Sequence, residues 1–269
     1  MILDPTKNPL LSYQTIAESP ELPVNWDVEG LLVHGDKCVV YGEWGAYKSF
    51  LLYHLALHLA EGADWLGWPI PQQRPVLYID EEMNLSTVKR RMRRMGQAVG
   101  SSKDLPLRMM TRTGLHFTET AAPALLRCLK AWNFSPSVII VEAMRRVMIG
   151  DENHASDVAL FWSHLTPLLH AGMTVIVSHH MSKPNQEHPQ NLRNRQSGST
   201  DILAGVDCAW AITRQGKSNV GDVTQTKQRD GEEADPWSFI VTSTGDPRMG
   251  PIQLVRDKTF TEKGVNPWK

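Results

Sequence analysis

The chain holds 269 residues, with 28 lysines and arginines against 29 aspartates and glutamates, for a formal net charge of −1. This length suits one large α/β domain with a well-buried core, and the balanced charge excludes a protein that holds polyanions through its overall field, so any nucleic-acid contact has to come from local basic patches. Cys38, Cys128 and Cys208 stand in apolar surroundings without C-x-x-C spacing and predict buried free thiols in a reducing, cytoplasmic compartment, and the lack of a leader pattern or a membrane-length apolar run predicts a chain neither secreted nor membrane-inserted.

Residues 1–25 are punctuated by Pro5, Pro9, Pro20 and Pro23 and predict an extended arm or loose cap ahead of a single domain over 26–269. Cys38-Val39-Val40-Tyr41 reads as a strand, Gly42-Glu43-Trp44-Gly45-Ala46-Tyr47-Lys48-Ser49 as a loop, and Phe50 to Leu57 as a helix. This order nearly matches the phosphate-binding pattern G-x-x-x-x-G-K-[ST], in which backbone N–H groups and a helix N-terminus cradle a polyphosphate, the lysine reaches its terminal phosphates and the hydroxyl binds magnesium. The candidate nucleotide-binding stretch is therefore Gly42, Glu43, Trp44, Gly45, Ala46, Tyr47, Lys48, Ser49 and Phe50. Tyr47 stands where the pattern has glycine, so it is expected to avoid any backbone conformation that a Cβ makes costly.

After a Trp/Pro/Gly-rich stretch over 62–75, Val76-Leu77-Tyr78-Ile79 reads as a strand closing on Asp80-Glu81-Glu82. Ser86 to Val99 is a basic helix, Leu107 to Met110 a short strand and Pro123 to Trp132 a helix. Val138-Ile139-Ile140-Val141 is a fully buried strand, Asp157 to Ala171 a helix, and Thr174-Val175-Ile176-Val177 and Cys208 to Ile212 are further buried strands. Val223 to Gln228, Trp237 to Thr242 and Pro251 to Arg256 read as sequential antiparallel strands. The alternation predicts an α/β fold, a mainly parallel twisted sheet flanked by helices on both faces, with antiparallel strands at its C-terminal end. Lys89, Arg90, Arg91, Arg93 and Arg94 spread around their helix and read as a solvated face or subunit contact, with Met92 and Met95 turned inward; Trp65 and Trp68 read as core.

In such sheets ligands bind beyond the carboxyl ends of the strands. The groups expected to converge there are the phosphate loop, Asp80, Glu81, Glu82, Glu142, and His179 with His180. Hydrolysis of a nucleoside triphosphate needs a carboxylate that organises magnesium, a group that orients or deprotonates water, and a polar sensor of the γ-phosphate, and this set contains all three. Adjacent histidines also suggest a zinc site, but consecutive residues leaving a strand point in opposite directions, which favours a polar sensor.

Taken together, the motifs resemble the RecA-like ATPases of the DnaB helicase superfamily, in particular the RepA-type hexameric plasmid helicases and related phage ATPases. The resemblance runs from Trp26 to Phe239 through Trp26-Asp27-Val28-Glu29-Gly30-Leu31-Leu32, the phosphate loop, Val76 to Glu82, Val138 to Glu142, Val177 to Lys183, Ser197-Gly198-Ser199 and Thr226-Lys227-Gln228-Arg229-Asp230-Gly231. It implies that Lys48 and Ser49 bind phosphate and magnesium, that Glu82 activates water, that Glu142 holds the magnesium-side carboxylate position and that His180 senses the γ-phosphate. Lys227 and Arg229 would enter a neighbouring subunit's ATP site in trans, as arginine fingers do; the bland alternative is a charged edge strand. Glu142 departs from the family's usual aspartate, which puts fast turnover in doubt more than binding.

The implied cofactors are ATP and Mg2+, and the implied partners are copies of the chain in a hexameric ring and single-stranded DNA or RNA, in a bacterial or phage-infected cell. Two long loops, Met144 to Ser156 and Pro184 to Ser199, would face the ring's channel and offer Arg145, Arg146, Lys183, Arg193 and Arg195 to phosphates without base readout. The expected activity is a helicase- or translocase-like replication factor. A recombination or strand-annealing ATPase, an RNA-stimulated ATPase and an ATP-dependent binding module without motor activity are the alternatives.

Overall fold

Apolar runs without alternation form the middle of the sheet, because strands covered by helices on both faces have no solvent side. The computed structural model describes residues 10–21, 23–100, 104–181, 192, 195, 197–246 and 249–259. Among them β1 (Trp26–Val28) and β2 (Leu32–Val33) form a small antiparallel ribbon. The main sheet contains β3 (Lys37–Gly42), β4 (Val76–Asp80), β5 (Leu107–Thr111), β6 (Val138–Glu142), β7 (Thr174–His180), β8 (Cys208–Thr213), β9 (Val220–Gln228), β10 (Trp237–Ser243) and β11 (Ile252–Asp257). Its order is β11-β10-β9-β8-β3-β7-β6-β4-β5. The run from β8 to β5 is parallel, and β9, β10 and β11 add antiparallel pairs at one side. This is the architecture read from the sequence.

The intervening helices are α2 (Lys48–Glu61), α3 (Leu85–Val99), α4 (Ala121–Ala131), α5 (Met144–Val147), α6 (Ala155–His170) and α7 (Asp201–Ala204). Odd and even strand positions feed two separate cores, as the period of two requires. Cys38, Val40, Tyr78, Ile140 and Trp210 pack with α2 and α3, whereas Val39, Tyr41, Ile79, Val141 and Ala211 pack with α4, α5 and α6. Trp65 is fully buried, in edge contact with Trp237 and stacked on Trp210. The three cysteines are free thiols; Cys38 and Cys208 are buried opposite one another across β3 and β8, whereas Cys128 is exposed on α4, against the expectation that all three are buried. Among the described residues no helix is long and apolar enough to cross a membrane.

Two further expectations need correction. The N-terminal segment contains a helix, α1 (Tyr13–Glu18), which the extended reading missed; Ser12 caps it by accepting from the Thr15 N–H, and every residue in it is exposed. The stretch after β6 is shorter as a loop than expected, since Met144 and Val147 are buried on α5 before the chain turns outward.

Candidate functional site

Gly42 ends β3 beside β8, where a Cβ would lie 2.4 Å from the Ile212 carbonyl oxygen, so only glycine lets the chain leave the sheet there. The loop enters α2 through Tyr47, whose φ of 65° lies in the left-handed region. The expectation that Tyr47 avoids such a conformation is therefore overturned: the position demands glycine's geometry and a tyrosine adopts it, at a cost of about 1–2 kcal/mol. No side chain caps the N-terminus of α2, which leaves its first N–H groups and dipole directed at the loop.

Lys48 is buried and folds back on that loop, donating to the Gly42 carbonyl at 2.8 Å and the Glu43 carbonyl at 2.9 Å. Burial lowers its pKa, opposed by the nearby carboxylates of Glu142, Glu82 and Glu43. Ser49 Oγ donates to Glu142 Oε1, and Tyr78 Oη donates to Glu142 Oε2 at 2.5 Å. Desolvation and then the charge of Asp80 push the Glu142 carboxyl up to about 7, against the stabilising effect of those two hydrogen bonds. Ser49 and Glu142 thus present a hydroxyl and a carboxylate, hard oxygen donors of the kind magnesium takes, and the raised pKa marks a buried negative charge that a divalent cation would offset.

The three acidic residues after β4 separate by environment. Asp80 is buried, accepting from Tyr53 Oη and from the N–H groups of Glu82 and Met83 at 2.9 and 2.7 Å. Glu81 binds the Thr113 hydroxyl and the N–H groups of Thr113 and Gly114. Glu82 is the one of the three that lines the cavity shared with Lys48, Ser49, Glu142 and His180, whose volume is about 340 Å³. The histidines diverge as strand alternation requires. His179 is buried and donates from Nε2 to the Ser197 carbonyl at 2.7 Å, whereas His180 faces the cavity against the indole of Trp44. Burial first, then the charge of Lys48, lowers the pKa of His180 to about 4, so its imidazole is neutral at pH 7. No group of three or more His, Cys, Asp or Glu suited to a metal ion occurs among the described residues.

Lys227 and Arg229 are not in this cavity. Gln228 is level with Cys208, which is level with Cys38, so the end of β9 lies at the amino edge of the parallel strands. The four residue steps from Cys38 to Gly42 put it roughly 13 Å along the strands from the phosphate loop of the same chain. There Arg229 pairs with Asp207 at 2.5 Å and Lys227 donates to the Leu203 carbonyl at 2.7 Å.

The residues expected at nucleic acid are dispersed. Arg145 and Arg146 are exposed on α5, and Arg145 opens on a second hollow of about 440 Å³ whose polar walls include Asp151, Glu152 and Asn153. Arg195 pairs with Glu43 of the phosphate loop, so it is bound to a carboxylate in this state. Lys183 and Arg193 lie outside the described residues. The two loops are joined: Ser197 Oγ donates to Glu152 Oε1 at 3.1 Å and the Ser199 N–H to the Glu152 carbonyl at 2.8 Å.

Two cavity residues escaped the sequence reading. Arg91 lies over the Phe50 ring at 4.8 Å, and Arg214 lies over the Tyr47 ring at 4.3 Å; both line the cavity. Arg91 was hidden in a basic run that reads as a solvated face, and no local pattern marks Arg214.

Residues 6–186 match a family model described as "AAA domain". No curated protein matches the chain. Among solved structures, the RadB recombinase aligns with a TM-score of 0.53 at 16% identity, covering 78% of this chain and 88% of that one. A KaiC-like protein from the hyperthermophilic archaeon Pyrococcus horikoshii aligns with a TM-score of 0.54 at 15% identity, covering 86% and 93%. At such identities the likeness shows a shared fold, that of the RecA-like ATPases.

Proposed function

The chain belongs to the AAA domain family, and from that membership we propose that it is an oligomeric P-loop ATPase that hydrolyses ATP between subunits and acts on single-stranded nucleic acid as a cytoplasmic, helicase- or translocase-like replication factor. The observation that carries this reading is the convergence of Lys48, Ser49, Glu142, Glu82 and His180 on one cavity at the carboxyl ends of four parallel strands. Lys48 exchanges its two loop carbonyls for terminal phosphate oxygens, and the uncapped start of α2 meets the remaining phosphate charge. Ser49 and Glu142 would hold Mg2+, which would supply neutralisation of the triphosphate's charge. Glu82 accepts the proton of the attacking water, and neutral His180 hydrogen-bonds the γ-phosphate without adding charge.

Assembly is supported by the position of Lys227 and Arg229 at the far edge of the sheet, out of reach of their own cavity. Side-by-side packing brings that edge to the next subunit's site, where a cation stabilises transition-state charge. This trans pair, with its Lys-x-Arg spacing, is what favours the DnaB and RepA type of hexameric helicase within the fold. A second reading, a module that orders on ATP without productive turnover, is favoured by Glu142, which Ser49 and Tyr78 hold on both carboxylate oxygens.

ATPase assays with and without single-stranded DNA and RNA test the reading, with Lys48→Ala as the blank. A motor should be stimulated by a strand. Wild-type turnover no higher than that of Lys48→Ala would remove the enzyme and leave the binding module.

A further inference from the structure

The phosphate loop departs from its pattern at one position, and the structure shows what meets that departure. Arg214, in the turn between β8 and β9, lies over the Tyr47 ring, with Cζ 4.3 Å from the ring centroid. The same guanidinium donates from Nη1 to the Gly45 carbonyl at 3.0 Å and from Nε to the Ser218 carbonyl at 2.6 Å. Tyr47 Oη donates to that Ser218 carbonyl as well, at 3.3 Å. A planar cation, a ring and one carbonyl of the neighbouring turn thus close around the loop. Lysine has no equivalent, since only a guanidinium can stack on a ring and direct two N–H groups at fixed angles.

We propose that Arg214 and Tyr47 form a brace that holds the phosphate loop in its nucleotide-accepting shape before nucleotide arrives, with Arg214 acting as a positioning residue for binding. The inference rests on the nucleotide reading of this site. Glycine in the pattern position reaches the left-handed conformation freely but also leaves it freely. Tyr47 has the opposite character: its Cβ disfavours the conformation, and Arg214 and Ser218 hold it there. The Gly45 carbonyl is fixed from outside by Arg214, and the Ala46 N–H turns to the Glu43 carbonyl at 3.3 Å. A loop so ordered loses less conformational freedom when a ligand closes on it, which raises affinity without adding a contact to the ligand.

The brace makes a prediction opposite to that of a merely tolerated tyrosine. If Tyr47 were tolerated, Tyr47→Gly would restore the pattern, relieve the strain and bind at least as well as wild type. With a brace, Tyr47→Gly and Arg214→Ala should each weaken binding of Mg2+-ADP by about tenfold, and the double variant should be no weaker than either single one, because both remove the same interaction. Isothermal titration of Mg2+-ADP against the four proteins reads this cycle. Tyr47→Phe should stay within about threefold of wild type, since the ring remains, and Arg214→Lys should behave like Arg214→Ala. Melting temperatures of the nucleotide-free proteins separate a loop effect from misfolding. If a larger change fails to fold, Arg214→Lys takes the place of Arg214→Ala in the cycle, and Tyr47→Asn, which reaches the left-handed region without a ring, takes the place of Tyr47→Gly. Equal or tighter binding by Tyr47→Gly, or losses that multiply in the double variant, would overturn the brace while leaving the nucleotide site intact. Wild-type protein that binds no ADP would overturn both.

Discussion

The indole of Trp44 lies flat on the imidazole of His180, with ring centroids 4.4 Å apart and planes 10° from parallel. Trp44 stands at a position that the phosphate-loop pattern leaves unspecified and is 75% exposed, and through the stack the imidazole gains an aromatic wall. Stacking of this kind contributes about 0.5–1.5 kcal/mol. If His180 senses the γ-phosphate, Trp44→Ala should lower kcat roughly three- to tenfold and leave the KM for ATP within about twofold. Trp44→Phe should recover most of the loss. Steady-state kinetics decide it, and a change in KM at constant kcat would assign the stack to binding.

Arg229→Ala should bind ATP with near wild-type affinity and lose turnover, because its side chain lies at the opposite sheet edge from its own cavity. Mixing it one-to-one with Glu82→Gln protein should restore about a quarter of wild-type activity in randomly mixed rings, since one interface in four then pairs an intact Glu82 with an intact Arg229. Turnover of the mixture is the measurement, and no recovery would count against a shared site.

Glu43→Gln should tighten binding to single-stranded DNA at low salt by about threefold, by removing a carboxylate that competes with phosphate for Arg195. The pairing of Arg195 with Glu43 sets the phosphate loop and the candidate nucleic-acid loop in competition for one guanidinium. Arg195→Ala should weaken binding and flatten its dependence on salt, and anisotropy of a labelled oligonucleotide at two salt concentrations reads both effects. Unchanged affinity in both variants would confine the pair to the structure of the loop.

Asp36 supplies a pH test. It is buried, its Oδ2 has no hydrogen-bond partner among the described residues, and desolvation followed by the charges of Asp207, Asp230 and Asp27 raises its pKa from 3.8 to about 7, with Arg229 opposing. Between those values the unfolded chain releases this proton while the folded chain keeps it, so stability falls as pH rises from about 4 to about 7 and the loss is complete above that. Asp36→Asn has no proton to lose. Its stability advantage should widen with pH and reach about 2–4 kcal/mol above pH 7. Urea denaturation at pH 5 and pH 8 measures the gap, and a constant gap would show that the carboxyl does not titrate on unfolding.

The parallel strands were legible because Val138-Ile139-Ile140-Val141 and its counterparts leave no polar face, a pattern few other environments tolerate. The phosphate loop was legible because its chemistry is local: strand, loop and helix start lie within a dozen residues. What stayed hidden depends on contacts between distant segments. The left-handed Tyr47 is stable beside an arginine 167 positions away, and Arg195 meets Glu43 across 152 positions; neither partner has a local signature. The fates of Asp80, Glu81 and Glu82 differ through Tyr53, the backbone turn and the loop around Thr113. A run of three acids shows none of that. Helix α1 escaped notice because its residues bury no apolar face, which removes the periodicity that marks a helix.

Strand β9 opens after the turn that grips the phosphate loop and closes on Gln228, with Lys227 just inside that end and Arg229 one residue beyond it. If subunits pack side by side as proposed, each such strand would run from its own candidate nucleotide site toward its neighbour's. A tilt that seated the far end next door would then also load the near end at home. The sites would then be wired in series around the ring, so that firing in one subunit primes an adjacent one in a fixed direction, and the handedness of that circuit follows from the direction in which β9 runs.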